Sequence, residues 1–143
     1  MTQTDLISFF SEDISFNLED EQLTQNWINK TITREGKYLG PVSYIFCSDN
    51  YLLRINQDYL EHDTYTDIIT FNYCDEDVIS GDIFISIDRV EENAKTFNTG
   101  FENELYRVMI HGILHLIGYN DKSEQEQSIM RTKEDFYLSL LPN

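Results

Sequence analysis

The chain has 143 residues, of which 41% are apolar and 13% aromatic, a composition typical of a folded protein with one sizeable core. Its 26 acidic and 10 basic residues give a formal net charge of −16. A charge of this sign disfavours non-specific binding to nucleic acids and to membrane surfaces. We therefore expect no DNA partner and no membrane association. An RNA partner would require a bridging cation, a local basic patch or docking through another protein.

The N-terminus and the cysteines favour a cytoplasmic protein. The first ten residues have no basic flank and only a short apolar run, which is typical neither of a signal peptide nor of a transmembrane segment. The two cysteines, Cys47 and Cys74, lie in apolar strand-like contexts and match no metal-binding cysteine pair. We expect both to be free buried thiols.

Hydrophobic periodicity predicts nine elements in the order β-α-β-α-β-β-α-α-α. In chain order they are a short edge strand within 7–16, a helix from about 19 to 36, a strand over 37–47, a helix over 49–60, strands over 67–73 and 82–87, a short helix over 88–97, a helix over 102–117, and a C-terminal helix. Ser48 or Asp49, Asp88 and the capping-box pair Ser123 and Glu126 are the predicted helix caps. These elements predict an α+β fold in which residues 1–143 form a single domain. In it a small mixed sheet of about four strands packs with about five helices.

Two of the three histidines, His111 and His115, lie four residues apart in the helix predicted over 102–117. Residues at i and i+4 share one helix face, so both imidazoles can reach a single metal ion. Gly118 can end the helix, and Asp121 can then bring a carboxylate to the same point. The spacing is that of the metzincin zinc site, with two differences. Gly112 replaces the glutamate that follows the first histidine, and Asp121 replaces the third histidine.

A histidine pair at this spacing also has a purely structural interpretation, because many such pairs are surface or capping residues. The surrounding sequence favours a metal. Apolar residues cover almost the whole circumference of this helix, as in a buried helix, and buried histidines need polar partners. From the residues alone, the metal site and the structural interpretation remain about equally supported.

Other polar residues have simpler structural interpretations. Asp67 and Asp82 begin two strands predicted to pair as a hairpin, so they lie at opposite ends and are expected to cap turns. His62 and Glu134 are expected to face solvent. Five strand aromatics are expected to be core rather than a stacking platform for RNA bases: Tyr44, Phe46, Phe71, Tyr73 and Phe84. No phosphate-binding loop, dinucleotide-binding motif or nucleophile elbow is present in the sequence.

Several motifs together resemble one family. They are Asn56-x-x-Tyr59-x-x-x-Asp63-x-x-Thr66-Asp67-Ile68-Ile69-Thr70-Phe71, Gly81-Asp82-Ile83-Phe84-Ile85-Ser86, His111-Gly112-Ile113-Leu114-His115-Leu116-Ile117-Gly118-Tyr119, and Met130-x-x-x-Glu134. In this order and spacing the chain is similar to the YbeY family of rRNA maturation factors, with a zincin-like metal helix. The resemblance implies a metal-dependent, single-strand-specific endoribonuclease of bacterial rRNA maturation, at the small-subunit rRNA 3′ end, and of ribosome quality control. It also implies single-stranded or ribosomal RNA and ribosomal proteins as partners.

The resemblance implies that His111 and His115 bind one Zn²⁺ and act in catalysis through it, with other divalent metals left open. Asp121 is implied as the third ligand by its position and chemistry, although the family usually has histidine there. The family also usually has an arginine where this chain has Leu60. Arg54 or His62 are candidates to replace that arginine in space.

The residues leave several mechanisms open. A metal held by two imidazoles and a carboxylate would activate water and polarise a phosphoryl oxygen. The nucleophile would be that water or the 2′-hydroxyl of the RNA itself. One alternative is a non-catalytic ribosome-assembly factor with a structural metal. A metalloprotease is disfavoured because Gly112 removes its general base, and a non-haem iron oxygenase because both histidines lie on one helix.

Overall fold

The computed structural model describes residues 3–60 and 66–141. Within this part of the chain there are four strands and five α-helices. The strands are β1 (Ile7–Ser11), β2 (Tyr38–Cys47), β3 (Ile68–Asn72) and β4 (Val78–Ser86). The helices are α1 (Glu21–Arg34), α2 (Asp49–Leu60), α3 (Ile87–Thr96), α4 (Phe101–Ile117) and α5 (Glu124–Leu138), and a short 3₁₀ helix, Gln3–Leu6, precedes β1.

The predicted order of strands and helices is confirmed, and so is the α+β fold with a small mixed sheet. Two details of the prediction are wrong. The strand β4 begins at Val78 rather than at residue 82, because a tight turn places the Val78 amide 2.9 Å from the Asp75 carbonyl oxygen and pairing starts there. The cap of α3 is Ser86 rather than Asp88, since the Ser86 hydroxyl accepts a hydrogen bond from the amide of Arg89.

The four strands form one sheet in the order β1-β2-β4-β3. The pairs β1–β2 and β2–β4 are parallel, whereas β3 and β4 form an antiparallel hairpin. The edge position predicted for the first strand is therefore confirmed. Parallel strands need a helical crossover, and α1 and α2 lie in the two connections between the strands that pair in parallel.

Alternation along the strands divides the core into two layers. On one face, Ile83 and Ile85 of β4 pack with α4 and α1 in the main apolar cluster. On the other face, a smaller cluster packs α2 against the sheet through Leu52, Ile55 and Ile69. The helix α4 is buried between the sheet and α5, as its sequence predicted. In the part of the chain described here, no helix is both long and apolar enough to cross a lipid bilayer.

Candidate metal centre

The site is built where α4 ends. Gly118 has φ of +126°, in the left-handed region that side chains disfavour, and its amide donates to the carbonyls of Leu114 and His115. The amide of Tyr119 also donates to the carbonyl of Leu114, at 3.0 Å. This tight helix end reverses the chain and brings Asp121 back to the two histidines.

Three donor atoms meet at one point. The Nε2 atoms of His111 and His115 are 3.0 Å apart, and Asp121 Oδ2 lies 3.3 Å from each of them. Two ligands about 2.0–2.1 Å from a zinc ion and separated by a tetrahedral angle would be roughly 3.3 Å apart. The three atoms thus lie at the separation of three corners of a tetrahedron. The His-His-Asp group could hold a metal ion, and within residues 3–60 and 66–141 it is these three side chains that offer ligand atoms close enough together.

Glu134 on α5 holds the ring of His111. Its Oε2 atom is 2.7 Å from His111 Nδ1, and its Oε1 atom accepts from Arg107 at 2.8 Å. An ionised carboxylate only accepts hydrogen bonds, so Nδ1 of His111 carries a proton, and Nε2 is the ring nitrogen that can ligate a metal ion. Such a carboxylate behind a ligating histidine is a recurrent feature of metal sites.

The prediction that Glu134 faces solvent is wrong, because the residue is only 5% exposed. Met130, Glu134 and Tyr137 are the buried residues of α5 and share the helical spacing of its inner stripe. That spacing is the sequence signal that could have identified Glu134. A charged residue within an apolar stripe needs a buried partner.

The environment of His111 has opposing electrostatic effects. Burial lowers the pKa of its imidazole, whereas the hydrogen bond to Glu134 and the charges of Glu134 and Asp121 raise it. The net pKa is above its ordinary value. The surroundings of this ring therefore favour a positive charge, which either a proton or a metal ion would supply.

A cavity of about 370 Å³ opens beside His111 and Asp121. Asp67 and Glu104 lie in its wall. Burial raises the pKa of each, and each feels other charges of the site: His111 opposes the rise at Asp67, and Asp67 adds to the rise at Glu104. The predicted turn-capping role does not describe Asp67 fully, because its Oδ2 atom accepts from Asn93 on α3 at 3.4 Å within this wall.

Gly112 faces the sheet, not the cavity. A Cβ atom at this position would lie 3.0 Å from side-chain atoms of both Ile68 and Ile83. The missing side chain lets α4 approach the strands closely. A glutamate here could not reach the His-His-Asp group without displacing the core, which agrees with the expectation that this helix lacks a protease-type general base.

The remaining candidates lie elsewhere. Asp82 faces a different cavity on the α2 side of the sheet, so the expectation that it does not pair with Asp67 is confirmed. Arg54 lies in the same cavity as Asp82, over the ring of Tyr51 and away from the histidines. His62 lies outside the described residues.

The expectations for aromatics and thiols are confirmed in part. Tyr44 and Phe46 are core, as expected, whereas Phe71 and Phe84 are half-buried and Tyr73 is exposed. Of the two free thiols, Cys47 is buried, but Cys74, in the turn after β3, is only partly buried.

Known proteins are similar to this chain in sequence and in fold. The family model described as Endoribonuclease YbeY matches residues 6–141. The endoribonuclease YbeY of Christiangramia forsetii is 54% identical over 134 residues, which cover 94% of this chain and 93% of that protein. That of Parabacteroides distasonis is 48% identical, covering 95% and 96%. The solution structure of TM1509 from Thermotoga maritima superposes with a TM-score of 0.66 at 31% identity, covering 93% of this chain and 87% of that one. The chain therefore belongs to the YbeY family.

Proposed function

We propose that this protein is a metal-dependent endoribonuclease that cleaves single-stranded RNA in rRNA maturation. The observation that carries the proposal is the tetrahedral spacing of His111, His115 and Asp121 at the edge of a cavity. Relatives that match nearly the whole chain are named endoribonucleases, which supports RNA as the substrate.

His111, His115 and Asp121 are the proposed ligands of one Zn²⁺ ion. Two imidazoles and one carboxylate are a donor set that zinc accepts, and their spacing suits its preferred geometry. When bound, the ion would supply Lewis-acid chemistry, polarising a phosphoryl oxygen and acidifying a water molecule. Because Asp121 adds a negative charge where an imidazole would be neutral, that acidification is expected to be weaker than in a three-histidine site.

The protein's own groups have separate tasks in this proposal. Glu134 fixes the tautomer and orientation of His111, and Arg107 balances the charge of Glu134. Asp67 and Glu104 lie in the cavity wall with pKa values raised by burial, so each holds a proton more readily than an exposed carboxylate does.

The proposed setting follows from the substrate. We infer action on the small-subunit rRNA 3′ end in the cytoplasm, with docking to the ribosome or a ribosomal protein. The net charge of −16 supports docking, because broad affinity for RNA is not expected from such a surface. We further infer that residues 1–143 make up one domain, with both apolar clusters built on the same sheet.

Metal content and RNA cleavage test the proposal directly. The purified protein is analysed for bound metals by mass spectrometry, and cleavage of a single-stranded RNA is followed with added Zn²⁺ or Mn²⁺. The variants are His115→Ala and Asp121→Ala. The matched control is Asp58→Ala, which removes an exposed carboxylate of the α2-side cavity.

We expect both site variants to lose metal and cleavage, and the control to keep both. If no added metal produces cleavage that depends on His115, the endoribonuclease function is wrong. Tight metal binding with four protein ligands and no cleavage would instead indicate a structural metal in a ribosome-assembly factor.

A further inference from the structure

The cavity beside the His-His-Asp group contains an arginine that the predicted site did not include. Arg131 of α5 lies in its wall and also in that of a smaller adjoining cavity, together with His111 and Asp121. Arg131 precedes Glu134 by three residues, so the two share one face of α5. Glu134 in turn touches the His111 ring at 2.7 Å. The arginine therefore lies about one helical turn from a residue that contacts the site.

The two arginines of the cavity differ in how their charges are used. Arg107 donates to Glu134 at 2.8 Å and to Asp135 at 2.6 Å, so two carboxylates neutralise its guanidinium. Arg131 is exposed and makes no hydrogen bond or ion pair with the described residues. Its charge lowers the pKa of Glu104, another residue of the cavity wall. Of the two, Arg131 is the one whose donors are available to an incoming anion.

The charge balance of the cavity indicates what such an anion requires. The wall has four carboxylates, Asp67, Glu104, Asp121 and Glu134, against the two arginines. A phosphodiester would be repelled from this wall unless a cation faced it. A metal ion would serve the phosphate nearest the histidines, whereas a neighbouring phosphate needs a second cation. Guanidinium suits this role because its N–H groups match a phosphate with two parallel hydrogen bonds.

We propose that Arg131 is a substrate-contacting residue that binds a backbone phosphate of the RNA in the cavity beside the His-His-Asp group. The proposal rests on the proposed function and adds to it the residue that holds the RNA strand. It assigns this phosphate-binding role to a residue of α5. It does not assign that role to Arg54, which lines a cavity that shares no residue with this one.

The test compares two substitutions that each remove one arginine, and therefore one positive charge. Arg131→Ala and Arg131→Lys are made in the full chain, with Arg54→Ala as the matched control for an exposed arginine. KM and kcat for cleavage of a single-stranded RNA oligonucleotide are measured over a range of salt concentrations with saturating Zn²⁺. Binding of the same oligonucleotide to chelator-treated protein is followed by fluorescence anisotropy. Zinc affinity and thermal unfolding are recorded for each variant.

Loss of one charged contact should raise KM about tenfold with kcat within about twofold. The slope of log affinity against log salt should fall by about 0.7, the value for one phosphate on a single strand. Arg131→Lys should recover most of the loss, because a point charge still binds phosphate. The zinc affinity of the Arg131 variants should match that of wild type. The KM and RNA affinity of Arg54→Ala should also match those of wild type.

Equal KM and equal RNA binding for Arg131→Ala and Arg54→Ala would overturn the proposal. So would a loss confined to thermal stability, since Arg131 would then only balance the charge of Glu104. If wild-type protein cleaves no RNA with any metal, the endoribonuclease function fails. The role of Arg131 is then decided by the binding measurement alone, where an unchanged dissociation constant rejects it.

Discussion

Glu134, beside the proposed metal site, and Glu35, away from it, both have largely covered side chains but different hydrogen-bond partners. The side chain of Glu134 is 6% exposed and contacts Arg107 and His111. The side chain of Glu35, at the end of α1, is 9% exposed and accepts hydrogen bonds from Lys133 at 3.1 Å, from Tyr119 at 2.6 Å and from Tyr137. Each carboxylate is taken from water, and each has the donors that burial requires.

The two glutamates differ in the roles of the residues that donate hydrogen bonds to them. The partners of Glu35 are scaffold residues on α5 and in the loop after α4, so this carboxylate joins three segments of the chain. One partner of Glu134 is a proposed metal ligand, so the same kind of interaction there orients the site. We therefore expect substitutions at Glu35 to change mainly the free energy of unfolding and those at Glu134 to change metal affinity.

The largest effect is expected for Glu134→Ala. Without its carboxylate, the His111 ring loses its orientation, and zinc affinity should fall about 10- to 100-fold. Glu134→Gln keeps an acceptor oxygen and should lose less. Zinc affinity is measured by competition with a chromophoric chelator. The control is Asp135→Ala, which removes the other carboxylate bound to Arg107. The side chain of Asp135 is 60% exposed. Unchanged zinc affinity in Glu134→Ala would make Glu134 a scaffold residue like Glu35.

Glu35→Ala should act on stability instead. It leaves Lys133 and two tyrosine hydroxyls without their acceptor, and the free energy of unfolding should fall by about 2–3 kcal/mol. Zinc affinity should stay within about twofold of wild type. Urea unfolding of the metal-free protein measures the first quantity, with exposed Glu91→Ala as control. A tenfold loss of zinc affinity would contradict the separation between the two carboxylates.

Acid should reveal the same network in the wild-type protein. Burial raises the pKa of Glu35, but hydrogen bonds from Tyr119, Tyr137 and Lys133 lower it by more than burial raises it. The net pKa is therefore below its ordinary value. A carboxyl whose pKa is lower in the folded state contributes stability above its unfolded pKa, about 4.3, and loses it as the pH falls through the folded pKa. The stability advantage of wild type over Glu35→Gln should therefore shrink as the pH is lowered below about 4. An advantage independent of pH would exclude this contribution.

The smallest effect is expected for Tyr119→Phe. It removes one of the hydroxyl groups that donate to Glu35 and should lower the free energy of unfolding by about 1 kcal/mol. Tyr119 follows the glycine that ends α4 and lies two residues before Asp121. The zinc affinity of Tyr119→Phe therefore also tests whether the hydrogen bond from Tyr119 to Glu35 positions Asp121. We expect no change beyond about twofold, since the backbone bonds of Gly118 and Tyr119 already close the helix end. The exposed Tyr38→Phe variant is the control.

Local patterns were sufficient for most of the fold. Helical spacing of apolar residues and runs of strand-favouring residues located all nine predicted elements, because each is a property of neighbouring residues. The start of β4 was predicted at residue 82, whereas β4 pairs with β2 from Val78 onward and with β3 from Gly81 onward. Such pairing is a tertiary effect that no local pattern contains.

The proposed site also contains residues that local spacing predicted and residues that it did not. His111 and His115 were found because four residues of helix place them together, and Asp121 because Gly118 ends that helix at a predictable point. Glu134 was misplaced as a surface residue, and Arg131 was not singled out at all. Both lie on α5, and Glu134 is 23 residues from the histidine that it touches.

The elements, their order, the family resemblance and the three proposed ligand residues could be read from the chain alone, since each depends on short-range spacing or on motif order. Which charges surround the proposed ligands depends on how the helices pack. The packing of α5 against α4 brings Glu134 to His111 and Arg131 to the cavity, and the packing of α4 on the sheet directs Gly112 into the core. The physical reason is that helix crossing geometry depends on side-chain packing over the whole interface, not on the spacing within either helix.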